Sequence, residues 1–167
     1  MENFQINISK EYHDAIIISE HIAEIWNDKV DKNNYDKMYS YIKKYREGFL
    51  IAYLFNEAIG SSIAFPINRI PSFDEINNKN IYDLLSIKGK YFYIHIIQII
   101  ERFRNKGYGI KLLKYQINTA KRRKYKEIIA MGIDKELDLW KRCGFQEFGE
   151  YGLYKNYGRF KWMKMIL

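Results

Sequence analysis

Two glycines, Gly107 and Gly109, stand between an apolar run and a basic amphipathic stretch, and this arrangement constrains the chain more than any other. The run before them, Tyr91 to Ile100 (YFYIHIIQII), is β-branched and aromatic, the composition of a buried central strand. The stretch after them carries Ile110, Leu113, Ile117 and Ala120 at helical spacing, with Lys111, Lys114, Lys121 and Arg122 off that stripe. The order is therefore strand, glycine turn, basic helix. A helix start leaves backbone N–H groups without partners and carries partial positive charge. Glycines let a ligand approach such a backbone closely. Together these features favour an anion, most often phosphate. No Walker pattern is present, and a dinucleotide fingerprint fails because residue 112 is Leu. What remains is Arg104-x-x-Gly107-x-Gly109. The bland alternative is an ordinary turn, which usually needs one glycine rather than two with flanking cations.

That motif, between such a strand and such a helix, resembles the pyrophosphate loop of the GNAT superfamily of N-acetyltransferases. Ile99 to Gly109 (IIERFRNKGYG) follows the family pattern, with Glu101 in place of its proline and Phe103 in place of its tyrosine. Further on, Leu139-Trp140-Lys141-Arg142-Cys143-Gly144-Phe145 is similar to the family's Leu-Tyr-x-Lys-x-Gly-Phe helix end. The resemblance spans Tyr91 to Phe145. It implies an α/β fold with a central mixed, mostly antiparallel sheet of six or seven strands flanked by helices. It also implies transfer of an acetyl group from acetyl-CoA to a primary amine by direct transfer in a ternary complex. The acceptor would be a small molecule or a protein amine, with a homodimer left open.

On this resemblance, the amides of Asn105, Lys106, Gly107, Tyr108, Gly109 and Ile110 cradle the pyrophosphate, and Arg104 or Lys106 adds charge. Gln98, Ile99 and Ile100 supply backbone contacts to the pantetheine arm. Many family members carry a glutamate base where this chain has His95 or Tyr93. By strand periodicity Tyr91, Tyr93, His95, Ile97 and Ile99 share one face. An imidazole titrates near neutrality, so His95 is a candidate base; the alternative is a core histidine with both nitrogens satisfied. A tyrosine acid is common where this chain has Trp140, and an indole cannot give up a proton in that role. Tyr154, Tyr151 or solvent would then protonate the thiolate. Cys143 reads as a small buried residue rather than an acyl carrier. A non-catalytic acyl-CoA sensor is the alternative function.

The length, 167 residues, fits one domain with a real core. One cysteine excludes an internal disulfide, and the N-terminus has no secretory pattern, so a cytoplasmic protein is expected. No apolar run is long enough to span a membrane. The net charge of +8 suits a polyphosphate ligand. Its cations are scattered apart from Lys121 to Lys124, which makes nucleic acid an unlikely main partner. His13 and His21, with no Cys or third histidine nearby, make no metal set and read as solvated or capping residues.

In chain order the expectations are a strand at Phe4 to Ile8, Ser9 as helix cap, and helices at Tyr12 to Asn27 and Tyr35 to Tyr45. Strands follow at Gly48 to Phe55 and Ala58 to Ile67, with Gly60 marking a bulge or close approach, and Pro66 and Pro71 then end the regular pattern. Arg69 to Lys90 is a long segment with a short helix near Ile81 to Leu85, expected to cover the acceptor pocket. A strand at Glu127 to Met131 and a turn at Gly132-Ile133-Asp134 precede a helix from Lys135 to Cys143, capped by Asp134 and closed by Gly144. Phe148 to Tyr154 and Arg159 to Ile166 form a final pair around Asn156-Tyr157-Gly158.

Overall fold

The computed structural model describes residues 3–154 and 158–167, with the side chain of residue 135 excepted. It contains a seven-stranded sheet in the order β1-β2-β3-β4-β5-β7-β6. The strands are β1 (Phe4–Ile8), β2 (Phe49–Leu54), β3 (Glu57–Ile67), β4 (Tyr91–Ile99), β5 (Glu127–Ile133), β6 (Gln146–Leu153) and β7 (Arg159–Ile166). Five α-helices accompany them: α1 (Tyr12–Trp26), α2 (Lys32–Lys44), α3 (Phe73–Asn78), α4 (Tyr108–Arg122) and α5 (Leu137–Arg142). β4 and β5 run parallel, so the chain between them must cross over, and α4 is that crossover. The β1–β2, β2–β3, β5–β7 and β6–β7 pairs are antiparallel. This is the mixed, mostly antiparallel sheet that the resemblance implies.

The chain divides into two compact units, one of Met1–Ala64 with Ile96–Gln116 and one of Phe65–His95 with Ile117–Leu167. In the first, Leu50, Ala52, Ile59, Ile99, Tyr108 and Leu112 form a buried apolar cluster. Phe55 and Asn56, both at positive φ, make the two-residue turn between β2 and β3. Gly60 fulfils both expectations for it. The β2–β3 register slips just beyond the Ala52–Gly60 pair, and a Cβ on Gly60 would lie 2.4 Å from the Gln98 carbonyl oxygen. Buried Gln116 donates from α4 to Gly48 O and Ser62 Oγ, at 3.0 Å each.

The ends of α1 and α2 follow capping chemistry, with one correction. Ser9 does not cap α1: its N–H extends the ladder to Phe49 O (2.8 Å), and Glu11 takes the cap position before a helix that starts at Tyr12 as expected. There Asp14 Oδ2 accepts from the N–H groups of Lys10 and Glu11. Helix α2 begins at Lys32, three residues before the expected Tyr35, because Asp31 and Asn34 form a reciprocal capping box. His21, expected in solvent or at a cap, is buried on α1, and burial holds its pKa below the ordinary value.

In the second unit β3 ends at Ile67, as expected, with Pro66 inside the strand; Pro66 O accepts from Ser86 N–H (2.8 Å). The segment 69–90 holds an unexpected helix, α3, besides a single 3₁₀ turn at Ile81–Leu84. Ser72 Oγ accepts from Glu75 N–H while Glu75 returns a bond to Ser72 N–H. Arg69 grips the Glu75 carboxylate with both terminal nitrogens, at 2.7 and 2.5 Å, and holds its pKa well below the usual range. β5 runs two residues beyond the expected end, so Gly132 and Ile133 are strand rather than turn. Asp134 does not cap α5; it opens a 3₁₀ turn and pairs with Arg159 at 3.3 Å. Gly144 closes α5 at φ +95° as expected. Of the turn between β6 and β7, Asn156 and Tyr157 lie outside the described residues.

Candidate functional site

The glycine turn lies in the first unit. A 3₁₀ turn at Glu101–Phe103 brings the chain off β4, Asn105 sits at φ +62° and Gly107 at φ +84°, and α4 starts at Tyr108. Lys111 N–H donates to Gly107 O (3.2 Å), so Gly107 occupies the helix-capping position. The N–H groups of Gly109 and Ile110 precede that bond in the first turn, where no intrahelical carbonyl exists for them. A Cβ on Gly107 would meet nothing within 4 Å, so the space above the turn is open. Arg104, Asn105, Lys106 and Gly107 are all exposed. Tyr108 is buried instead, its ring stacked on Phe4 at 5.0 Å, and it anchors the turn from below. Open amides, a helix start and flanking cations fit a pyrophosphate.

The neighbouring backbone is already partly engaged. Arg104 Nε donates to Ile99 O (2.8 Å), and Ile100 N–H donates to Ile59 O (2.9 Å). The Lys106 ammonium lies 5.7 Å over the Phe103 ring. Gln98 is buried, and its side-chain amide has no hydrogen-bond partner among the described residues.

His95, Tyr93 and Tyr154 all belong to the second unit. Tyr93 is fully buried and its hydroxyl lies 3.2 Å from His95 Nδ1. Burial pushes the Tyr93 phenol far up, and the nearby Tyr154 and Tyr82 push it further. Around the half-buried His95 ring stand Tyr82, perpendicular at 5.3 Å, Tyr93 at 5.6 Å and Phe65 at 6.3 Å. That apolar surround lowers the His95 pKa from 6.5 to about 4 by desolvation of the charged form. Tyr154 is buried with its ring edge on Phe160 at 5.9 Å. Tyr151 is exposed, bonded to Glu147 and covered by the cations of Arg159 and Lys161.

Trp140 is buried edge-on against Phe145 at 5.1 Å, a packing role. Cys143 is half-buried. The segment 69–90 encloses a cavity of about 300 Å³ lined by Glu75, Lys79, Asn80, Ile81, Asp83 and Leu84, with the Glu75 carboxylate engaged by Arg69. Among the described residues no group of three His, Cys, Asp or Glu side chains could hold a metal, and no helix is long and apolar enough to cross a membrane. Sequence reasoning missed Phe65 and Tyr82, which reach His95 from strands and turns distant in the chain. No local signal marks them.

Residues 15–145 match the model of the acetyltransferase (GNAT) family, and the chain belongs to that family. Solved structures carry the same fold at low identity. The loading GNATL domain of CurA from Lyngbya majuscula is 14% identical, with a TM-score of 0.73 over 98% of this chain and 97% of that one. A chain of the NatC complex bound to Gag peptide and CoA is 16% identical, with a TM-score of 0.72 over 100% and 99%. An N-acetyltransferase from Staphylococcus aureus Mu50 is 16% identical, with a TM-score of 0.65 over 96% and 100%. The comparison with curated proteins gives no match. Acyl transfer is the general chemistry of this family.

Proposed function

We propose that this chain is an N-acetyltransferase that takes its acetyl group from acetyl-CoA and passes it directly to a primary amine. The observation that carries the proposal is the open glycine turn, with Gly107 at φ +84° and nothing within 4 Å of its missing Cβ, in a chain of this family. The turn's amides would hold the pyrophosphate, with Lys106 and Arg104 as flanking cations. The pantetheine arm would lie along Gln98 to Ile100. Arg104 must yield Ile99 O if the arm is to use that carbonyl.

In the reaction the amine nitrogen attacks the thioester carbonyl carbon. A C–N bond forms as the carbonyl electron pair moves to oxygen. Collapse of the tetrahedral species breaks the C–S bond and expels the coenzyme A thiolate. The amine loses one proton and the thiolate gains one, so protons balance. Tyr154 is the candidate donor to the thiolate, and His95 with Tyr93 forms the polar pair available to the acyl centre.

The test is free-thiol release from acetyl-CoA against lysine, spermidine, glucosamine and a peptide with a free N-terminus, beside calorimetry with coenzyme A. Release with one amine class supports the proposal and names the acceptor. Tight binding without release supports an acyl-CoA sensor, a reading favoured by Trp140 standing where the family commonly has a tyrosine. Neither binding nor release defeats both.

A further inference from the structure

We propose that His95 serves the reaction as a neutral hydrogen-bond donor, through Nε2–H, to the acyl carbonyl oxygen, and that Tyr93 fixes this tautomer through Nδ1. This rests on the transferase reading and changes the duty of the residue that sequence reasoning casts as a base.

The argument starts at the Tyr93 hydroxyl. Tyr93 is completely buried, and its oxygen has one hydrogen-bond partner among the described residues, His95 Nδ1 at 3.2 Å. The bond can run in two directions. If Nδ1–H donated to the phenol oxygen, the phenol proton would be left in a dry interior with no acceptor, which folded chains avoid. If the phenol donates to Nδ1, both groups are satisfied. Which ring nitrogen carries the proton is fixed by such networks. Here the network places a lone pair on Nδ1 and the proton on Nε2.

The rest of the surround agrees. Phe65, Tyr82 and Tyr93 supply rings, and no carboxylate among the described residues bonds the imidazole to strengthen it as a base. Nε2 makes no protein hydrogen bond among the described residues, and the half-buried ring keeps some exposed surface. Desolvation keeps the ring neutral at physiological pH. A neutral ring with Nε2–H cannot take a proton at Nε2. It can donate to a carbonyl oxygen as negative charge builds there, and a donor already fixed in orientation is effective at that task. No bond is made or broken at His95; the amine's proton leaves to water. Tyr93 is a positioning residue, acting through the ring.

The experiment has two arms on the full chain. Long-range ¹H–¹⁵N NMR of the histidine rings at neutral pH reads the tautomer directly, with His95 assigned by its loss in His95→Gln. The expected result is a pyridine-type Nδ1 and a pyrrole-type Nε2, with the preference relaxed in Tyr93→Phe. In the second arm, free-thiol release from acetyl-CoA is measured with the amine that the wild type accepts. His95→Ala should fall about 100-fold in kcat. His95→Gln, which keeps an amide N–H but has no basic nitrogen, should stay within about ten-fold of wild type. A pyrrole-type Nδ1, or a Gln variant as slow as the Ala variant, overturns the inference and leaves the transferase reading standing. No thiol release from the wild type overturns the transferase reading and the catalytic role with it, while the tautomer arm still reads the Tyr93–His95 lock.

Discussion

The glycine turn offers backbone amides in open, cation-flanked surroundings; His95 sits instead among side chains packed as aromatic rings. The turn can hold a charged ligand because nothing covers it: Gly107 has no neighbour within 4 Å of its missing Cβ. The His95 surround does the reverse. It removes water, drives the imidazole neutral and leaves one phenol to decide which nitrogen is protonated. On the proposed function, holding the donor and steering the chemistry would call for opposite dielectric environments, built from different kinds of group.

The sharpest way to break the comparison is Gly107→Val. The side chain enters the space a phosphate would use, and a β-branched residue at φ +84° also strains the turn, so coenzyme A affinity should drop at least about 100-fold, the loss of two charge-assisted hydrogen bonds. Calorimetry checks this, and unchanged affinity would remove the turn from the donor site. Gly152→Val attacks the aromatic packing of the second unit. Its Cβ would lie 2.7 Å from the Phe73 ring, which stacks on Trp162 and meets Phe160 edge-on. Stability in urea should fall by about 2 kcal/mol.

A pH series separates the two environments further. The folded pKa of His95 lies near 4, below its ordinary 6.5, and that of His21 is lowered too. The unfolded chain therefore binds more protons between those values. Stability should fall as pH drops from 6.5 towards 4 and stay level just above, with a slope of at most about 1.4 kcal/mol per pH unit for each histidine. Denaturant midpoints across that window read it, and His95→Gln should flatten the curve. Lys106→Ala should be the mildest change, costing less than about five-fold in coenzyme A affinity, because one exposed cation is screened by solvent.

The glycine turn was legible because it is local: strand, glycines and helix are consecutive, and each leaves its own periodicity. The strands read well for the same reason. The cap of α1 and the start of α2 were misplaced because several polar residues competed to cap: Asp14 accepts at the start of α1 in place of Ser9, and Asp31 opens α2 at Lys32. Helix α3 left a signal, Ser72-x-x-Glu75, that is recognisable as a capping box and was passed over. The environment of His95 left none. Phe65 and Tyr82 are ordinary aromatic residues until the fold sets them against the imidazole, and a buried phenol's single acceptor is a property of packing rather than of spacing.

Gly60 and Gly107 give substitution two different meanings. At Gly60 any side chain strikes the Gln98 carbonyl, so replacements should vanish from a library sorted on protein abundance. At Gly107 the added atoms meet empty space and the cost is the strain of φ +84°, lightest for Asn, so Asn should survive that sort and disappear only when the library is sorted on retention by immobilised coenzyme A. The same amino acid would thus be held by the sheet at one position and by the ligand at the other, and two selections on one library would tell architecture from recognition.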